Sequence, residues 1–312
     1  DETKNCKALP MAMADHSAAI KIVIDTLTSE DRGVLASMSE IKAVGHRVLH
    51  GGEEFSGSVV VTEDVKAAIR KCIPLGPLHN PANLTGIEVC ESIMKGIPQV
   101  AVFDTAFHQT IPDYAYMYAL PYEFYEEDGI RRYGFHGTSH RYVSMRAIDM
   151  LGKGAEGTKI VTCHLGNGCS ITAIKDGKVL DTSMGFTPLD GFMMGSRSGT
   201  LDPSVVTYMA ELDNISPSEM SQMLNKQSGL LGISGVGSDD RDVTKAAAEG
   251  NERAKLAHEM LRYQISKFIG GYYVALGGCD VMVFTAGLGE NQASHRKAIC
   301  EYLSCFGVKI DD

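Results

Sequence analysis

The chain reads as an α/β protein, and three features predict it. Apolar runs of strand length alternate with longer helical patterns along the 312 residues. Glycine, present 33 times, clusters directly after those runs, where a tight turn brings backbone close to a ligand. A hairpin signal is inserted between two of the runs. Alternating strand and helix is the pattern of a layered α/β fold.

The elements follow in order. Residues 17–28 carry a helical pattern. Ile41 to Leu49 reads as a strand running into Gly51-Gly52. A helix starts at Asn80, with Pro81 at its first position, Asn80 as its cap and Gly96 past its end. Pro98 to Phe103 reads as a buried strand ending at Asp104. Lys159 to Leu165 is an apolar strand followed by Gly166-Asn167-Gly168. Ile171–Ile174 and Val179–Thr182 flank Lys175-Asp176-Gly177-Lys178, and Asp-Gly supplies the positive φ angles of a tight hairpin. A long helix covers roughly 252–276. Asp280 to Thr285 is another buried strand, ending in a turn at Gly287-Leu288-Gly289.

Composition narrows the class. Hydrophobic residues make up 44% and charged residues 22%, which is globular. A net charge of −10 argues against a nucleic-acid partner, though not against a nucleotide, which needs only a few cations and backbone N–H groups. The eight cysteines include no C-x-x-C pair and read as buried free thiols of a reducing compartment. No apolar run approaches about 18 residues, so no membrane span is expected. There is no signal-peptide pattern. The chain starts at Asp1 and stops at Asp311-Asp312 just after a strand-like run, Val308–Ile310, and so reads as a fragment.

Several segments carry chemistry. In Gly45–Gly52, Arg47 stands beside two glycines, and its planar fork suits a carboxylate or phosphate; a surface arginine beside a turn is the plainer reading. In Pro77–Asn83, His79 precedes a helix N-terminus, which attracts anions. Asp104 ends a strand, a common place for metal or proton work, and equally a place for a cap. In Arg131–His140, His136 and His140 at i, i+4 invite a zinc reading that Gly137 and the missing Glu of H-E-x-x-H weaken; alternatively a histidine donates to a transferring phosphoryl group. His164–Ser170 forms a backbone cradle around Asn167 and Gly168 that is not a Walker A loop. Gly185–Gly191 and Gly195–Gly199 bring Pro188 and Arg197, a second anion clamp. Ser234–Arg241, with Asp239, Asp240 and Arg241, and Thr285–Asn291, with Gly287, Leu288 and Asn291, suit a nucleoside pocket.

Taken together and in this order, the segments His46–Gly52, His79–Asn83, Asp104–His108, Phe135–His140, His164–Ser170 and Gly185–Leu201 resemble the acetate kinase family, over roughly residues 42–291. The resemblance implies an α/β architecture of two similar domains of the actin/hexokinase/sugar-kinase (ribonuclease H-like) type with an interdomain cleft. The expected division is 1–105 and 106–312, the latter binding nucleotide and forming a homodimer. It implies a cytoplasmic enzyme that phosphorylates acetate with ATP by in-line transfer, with Mg²⁺ or Mn²⁺. By family motif, Arg47 and Arg197 bind carboxylate and transferring phosphate, His136 stabilises the transition state, and Asp104 orients substrate or indirectly holds the metal. His79, His164, Asn167 and Gly168 line the phosphate path. Asp239, Asp240, Arg241, Gly287, Leu288 and Asn291 meet the nucleoside, and Leu49, Leu78, Phe135 and Pro188 enclose the methyl group.

The sequence departs from the family pattern in places. The family's first Asn-x-Gly-Ser-Ser-Ser-x-Lys loop and its C-terminal acidic metal residue are absent. Asp240 replaces an aromatic or apolar residue found in some relatives. Leu49 stands where a smaller valine is expected, which predicts acetate over propionate. Propionate or butyrate kinase is the neighbouring reading. A metal hydrolase built on His46, His50, His79, His136 and His140, and a catalytically incompetent fragment, are the readings from other classes.

Overall fold

The computed structural model describes residues 15–311. They form two compact units, 15–51 with 58–103, and 52–57 with 104–311. The architecture is mixed α/β with one sheet in each unit.

The first unit contains α1 (His16–Leu27), β1 (Val44–Val48), β2 (Val59–Val60), α2 (Glu63–Lys71), α3 (Asn80–Ile93) and β3 (Gln99–Phe103). Asp15 caps α1 by accepting from the Ala18 N–H. Thr62 caps α2, whose acidic first turn and basic last turn complement its dipole. The strand order is β1-β3-β2, with β1 and β3 parallel and Arg47 beside Val102. Gln99, Ala101 and Phe103 alternate inward on β3, the period of two expected of a strand. Ile24, Cys90 and Met94 tie α1 to α3.

Two asparagines of α3 serve the end of β1, and one of them departs from the sequence expectation. Asn80 is not the cap. It is the first helical residue and is fully buried, and His79 occupies the cap position without a side-chain cap bond. The Asn80 amide accepts from the His50 N–H and donates to the carbonyls of His50 and Ile69. Asn83 accepts from the Leu49 N–H. The strand end therefore recruits both side chains, because its own buried backbone groups need partners.

The second unit contains α4 (Asp113–Tyr116), α5 (Glu123–Asp128), α6 (Gly137–Leu151), β4 (Lys159–Leu165), β5 (Cys169–Lys175), β6 (Lys178–Thr182), α7 (Pro203–Asp213), α8 (Pro217–Lys226), α9 (Gly229–Ser234), α10 (Asp240–Ala248), α11 (Glu252–Leu276), β7 (Val281–Thr285), α12 (Ala286–Asn291) and α13 (Ala293–Tyr302). Its sheet runs β6-β5-β4-β7, with β7 parallel to β4 and the other pairs antiparallel. The hairpin turns at Asp176 (φ 53°) and Gly177 (φ 74°), as Asp-Gly predicts. The 25-residue α11 buries Ala254, Ala257, Leu261, Ile265, Ile269, Tyr272 and Leu276, a helical stripe facing the core.

Three expectations for this unit need correction. β7 is half-buried throughout rather than buried, because it is an edge strand paired only with β4. The glycines after it open α12 instead of a turn. Val308–Ile310 forms no strand. Of the cysteines, Cys72, Cys90, Cys163, Cys169 and Cys300 are buried free thiols, Cys279 is half-buried and Cys305 exposed; Cys6 lies outside the described residues. No described helix is long and apolar enough to cross a membrane.

Candidate active site

The second unit builds a histidine–hydroxyl cluster on one face of its sheet. Period-two alternation places Thr162 and His164 on the same face of β4, and the antiparallel register sets Ser170 opposite His164. α6 supplies the facing residues. His136, at its cap position, adopts left-handed backbone (φ 57°, ψ 24°), uncommon for a residue with a Cβ. This turns its N–H toward the buried Asp104 carboxylate, 3.3 Å away. Gly137 follows because a Cβ there would collide with the Asp104 carbonyl oxygen.

One turn later comes His140, fully buried. Its Nδ1 lies 2.7 Å from Thr162 Oγ1 and its Nε2 2.7 Å from Ser170 Oγ. Ser170 Oγ is also 2.8 Å from His136 Nδ1. Ser139 Oγ is 2.8 Å from His164 Nδ1, and the His136 and His164 rings stack with centroids 4.2 Å apart. Burial, then the neighbouring histidines His108, His136 and His164, hold the His140 imidazole well below the ordinary histidine range. Burial likewise brings His108 down to about 4, although its bond to the Phe135 carbonyl and the Asp104 charge act the other way. The i, i+4 histidine pair thus serves hydroxyl partners. Among the described residues, neither His136 and His140 in the second unit nor His46, His50 and His79 in the first belong, within their own unit, to a group of three metal-ligand atoms within 4.8 Å of one another.

Arg197 reaches this cluster from the Gly195–Gly199 loop. Its Nη1 donates to the Pro188 carbonyl at 3.1 Å. Among the described residues no carboxylate lies within ion-pairing range of it. Burial lowers its pKa, against a smaller opposite effect of Cys169, yet a guanidinium stays charged. A partly buried cation without a counter-ion is costly unless an anion joins it. Arg197 and His136 converge at Gly168: a Cβ there would stand 3.5 Å from Arg197 Nη1 and 3.5 Å from His136 Nε2. Glycine keeps that space open. Gly195 is glycine for a related reason, since a side chain would strike Asn167 Oδ1 and the Ser238 carbonyl.

Gly195 also lines a cavity of about 540 Å³, together with Asn167, Asp239, Asp240, Arg241, Gly287, Leu288 and Asn291. It has the volume and the mixed lining of a small-molecule site. Arg241 pairs with Asp239 at 2.5 Å, and that bond brings the Asp239 carboxyl down to about 2. Asn291 Nδ2 donates to the Gly287 carbonyl.

Asp240 has partners that sequence reasoning missed. His295 Nε2 lies 3.0 Å from Asp240 Oδ1, and His258 Nε2 3.1 Å from the same oxygen. These three ligand-type atoms lie within 4.8 Å of one another. However, Arg262 Nε donates to His295 Nδ1 at 3.0 Å. Arginine only donates, so His295 carries its proton on Nε2 and gives it to Asp240. A metal ligand needs that nitrogen bare and its other nitrogen turned to an acceptor. The trio is therefore a brace between α10, α11 and α13. Burial raises the Asp240 carboxyl, but the two imidazoles outweigh it and hold it far below the usual range. These partners are 18 and 55 positions from Asp240, with no shared motif to signal them.

The remaining sequence-predicted residues are placed as follows. Phe135 is fully buried and Pro188 half-buried in the second unit. In the first unit, Arg47 is exposed on β1, Leu49 is buried, His79 is half-buried, and Leu78 is 59% exposed.

Comparison with known proteins places the cluster in context. The model of the acetokinase family matches residues 1–312. The acetate kinase of Natranaerobius thermophilus is 56% identical over 299 residues, covering 96% of this chain and 75% of the relative. Among solved structures, Porphyromonas gingivalis acetate kinase matches with a TM-score of 0.90 and 51% identity, over 95% of this chain and 74% of that one. A propionate kinase from Francisella tularensis also matches with a TM-score of 0.90, at 47% identity over 95% and 75%. With a family model matched from end to end and a relative identical at more than half of its aligned positions, the chain belongs to the acetokinase family.

Proposed function

We propose that this chain transfers the terminal phosphoryl group of ATP directly to the carboxylate of acetate, reversibly, giving ADP and acetyl phosphate. The observation that carries this reading is the space over Gly168, bordered by an imidazole and by a guanidinium that has no counter-ion among the described residues. A phosphoryl group passing through it would have its equatorial oxygens met by Arg197 and His136. Phosphoryl transfer asks for such alignment and charge neutralisation rather than covalent help. The acceptor is ionised at neutral pH, so no strong general base is needed. ADP and ATP occupy the cavity that Asn167 lines, with Asp239, Asp240, Arg241, Gly287, Leu288 and Asn291 around the nucleoside and His164 and Gly168 toward the phosphates. Phe135 and Pro188 face the methyl group. Of the first-unit residues, Arg47 serves the carboxylate, Leu49 and Leu78 the methyl group, and His79 the phosphates.

A divalent cation, Mg²⁺ or Mn²⁺, fits these residues. Asp104 offers a buried hard oxygen donor beside the His136 N–H, and Mg²⁺ needs only one or two carboxylates besides water and phosphate oxygens. Bound there, it supplies charge neutralisation to the polyphosphate. The working form is a cytoplasmic homodimer, which light scattering after gel filtration checks.

The test is a coupled ADP-release or hydroxamate assay with acetate, propionate and butyrate. Acetate gives the highest kcat/KM, because Leu49 leaves less room than valine. A higher value for propionate reassigns the substrate. Nucleotide binding with no turnover on any carboxylate sinks the catalytic reading. Gly168→Ala checks the space itself. A methyl group at 3.5 Å from its neighbours is in ordinary contact, so the variant folds with an unchanged melting temperature. Its kcat falls about a hundredfold, the effect of displacing the reacting group by a fraction of its own size.

A further inference from the structure

The hydrogen bonds behind His136 form a continuous chain, Thr162–His140–Ser170–His136, and the order of its protons can be worked out. Ser170 and Thr162 are both fully shielded from solvent. The Ser170 hydroxyl touches two ring nitrogens, His140 Nε2 at 2.7 Å and His136 Nδ1 at 2.8 Å. It has one proton to give. The Thr162 hydroxyl has a single hydrogen-bond partner among the described residues, His140 Nδ1 at 2.7 Å.

Three orders are possible with both rings neutral and every link made, of which one, with His140 Nε2–H and His136 Nδ1–H both donating to Ser170, strands the buried Ser170 proton without an acceptor among the described residues; two remain. In the first, Thr162 donates to His140 Nδ1, His140 Nε2–H donates to Ser170, and Ser170 donates to His136 Nδ1. Every proton along the chain then has an acceptor. In the reverse order, His136 Nδ1–H donates to Ser170, Ser170 to His140 Nε2, and His140 Nδ1–H to Thr162. The Thr162 proton is then left inside the protein with nothing to bond. A buried donor without an acceptor is disfavoured, so the first order wins. It leaves His136 Nδ1 as a lone-pair nitrogen and puts the ring proton on Nε2, the atom that faces the space over Gly168 beside Arg197.

We propose that Thr162, His140 and Ser170 are positioning residues that hold neutral His136 as its Nε2–H tautomer, so that it donates a hydrogen bond to the transferring phosphoryl group without itself needing a second proton. This rests on the function proposed above and deepens it. A free neutral imidazole divides its proton between two nitrogens. Here the division is decided two residues away, by a threonine hydroxyl on a central strand. His140 acts as a fixed relay, kept neutral by its surroundings.

The test reads the tautomer directly. Long-range ¹H–¹⁵N correlation spectra of the ¹⁵N-histidine-labelled protein, with His136→Gln to assign the signal, are expected to show neutral His136 protonated on Nε2. Thr162→Val keeps the shape and removes the hydroxyl; Thr162→Ser keeps the hydroxyl. The valine variant is expected to populate the Nδ1–H form and lose about tenfold in kcat, the scale of one misdirected donor, with KM for ATP and acetate within about threefold of the parent. The serine variant is expected to restore both tautomer and kcat. An Nδ1-protonated His136 in the parent protein overturns the proposal even if Thr162→Val does not fold. So does a valine variant with unchanged tautomer and kcat. An Nε2–H signal in a protein that phosphorylates no carboxylate would leave the relay standing and remove the function reading instead.

Discussion

Arg197→Ala is expected to lower kcat by about a thousandfold, the size of effect seen when an arginine that neutralises a transferring phosphoryl group is removed. It should do so without loss of stability. Most partly buried arginines cannot be truncated safely, because a carboxylate is left behind without its partner. Arg197 has no such carboxylate among the described residues, and its one backbone bond goes to the Pro188 carbonyl. Removing it also relieves the burial that lowers its pKa. The combination of collapsed turnover and an unchanged or slightly raised melting temperature is diagnostic. Steady-state kinetics and thermal unfolding of the same sample check it. If KM rises while kcat stays, the guanidinium contributes only uniform binding and not transition-state stabilisation.

Acidification is expected to unfold the protein well before its carboxylates are neutralised. Burial brings His50 and His108 down to about 4, and His140 lies well below the ordinary range. An unfolded histidine titrates near 6.5. Between those values the unfolded chain binds protons that the folded chain refuses, so stability is complete above about pH 6.5 and falls as the pH drops toward 4. Each such histidine contributes a slope of about 1.4 kcal/mol per pH unit. His108 withdraws about 2 kcal/mol between pH 7 and pH 5, a noticeable part of an ordinary folding free energy, and His140 in the same unit acts in the same direction. Asp181, whose carboxyl burial raises, works in the opposite direction. Urea midpoints at pH 7, 6 and 5 measure the effect. A flat profile across that range would show that the three rings accept protons in place.

What was legible in the sequence was mostly local. Asp176-Gly177 announced the hairpin because a type I′ turn demands positive φ at both positions, and the structure has both. The helical pattern over roughly 252–276 matched α11, which runs from Glu252 to Leu276. The glycines of the His164–Ser170 segment marked the loop that lines the 540 Å³ cavity through Gly166 and Asn167. What stayed hidden were connections made by side chains across strands and helices. Asn80 looked like a cap because Asn before Pro usually is one, yet the buried backbone at His50 claimed its amide. His140 looked like half of a metal pair because the helix brings i and i+4 to one face; its partners Thr162 and Ser170 sit on β4 and β5, which pair across the Gly166–Gly168 turn. The His258–Asp240–His295 brace joins three helices, and no spacing rule links its members.

The left-handed backbone at His136 carries one more implication. Glycine occupies that region freely, whereas histidine pays a conformational penalty to remain there. Swapping in glycine would relax the turn ahead of α6 while erasing the imidazole. Directed evolution that rewards heat tolerance alone would therefore drift toward a sturdier protein that lacks the imidazole of the proposed site. Histidine here sets the proposed phosphoryl contact against the stability of the turn.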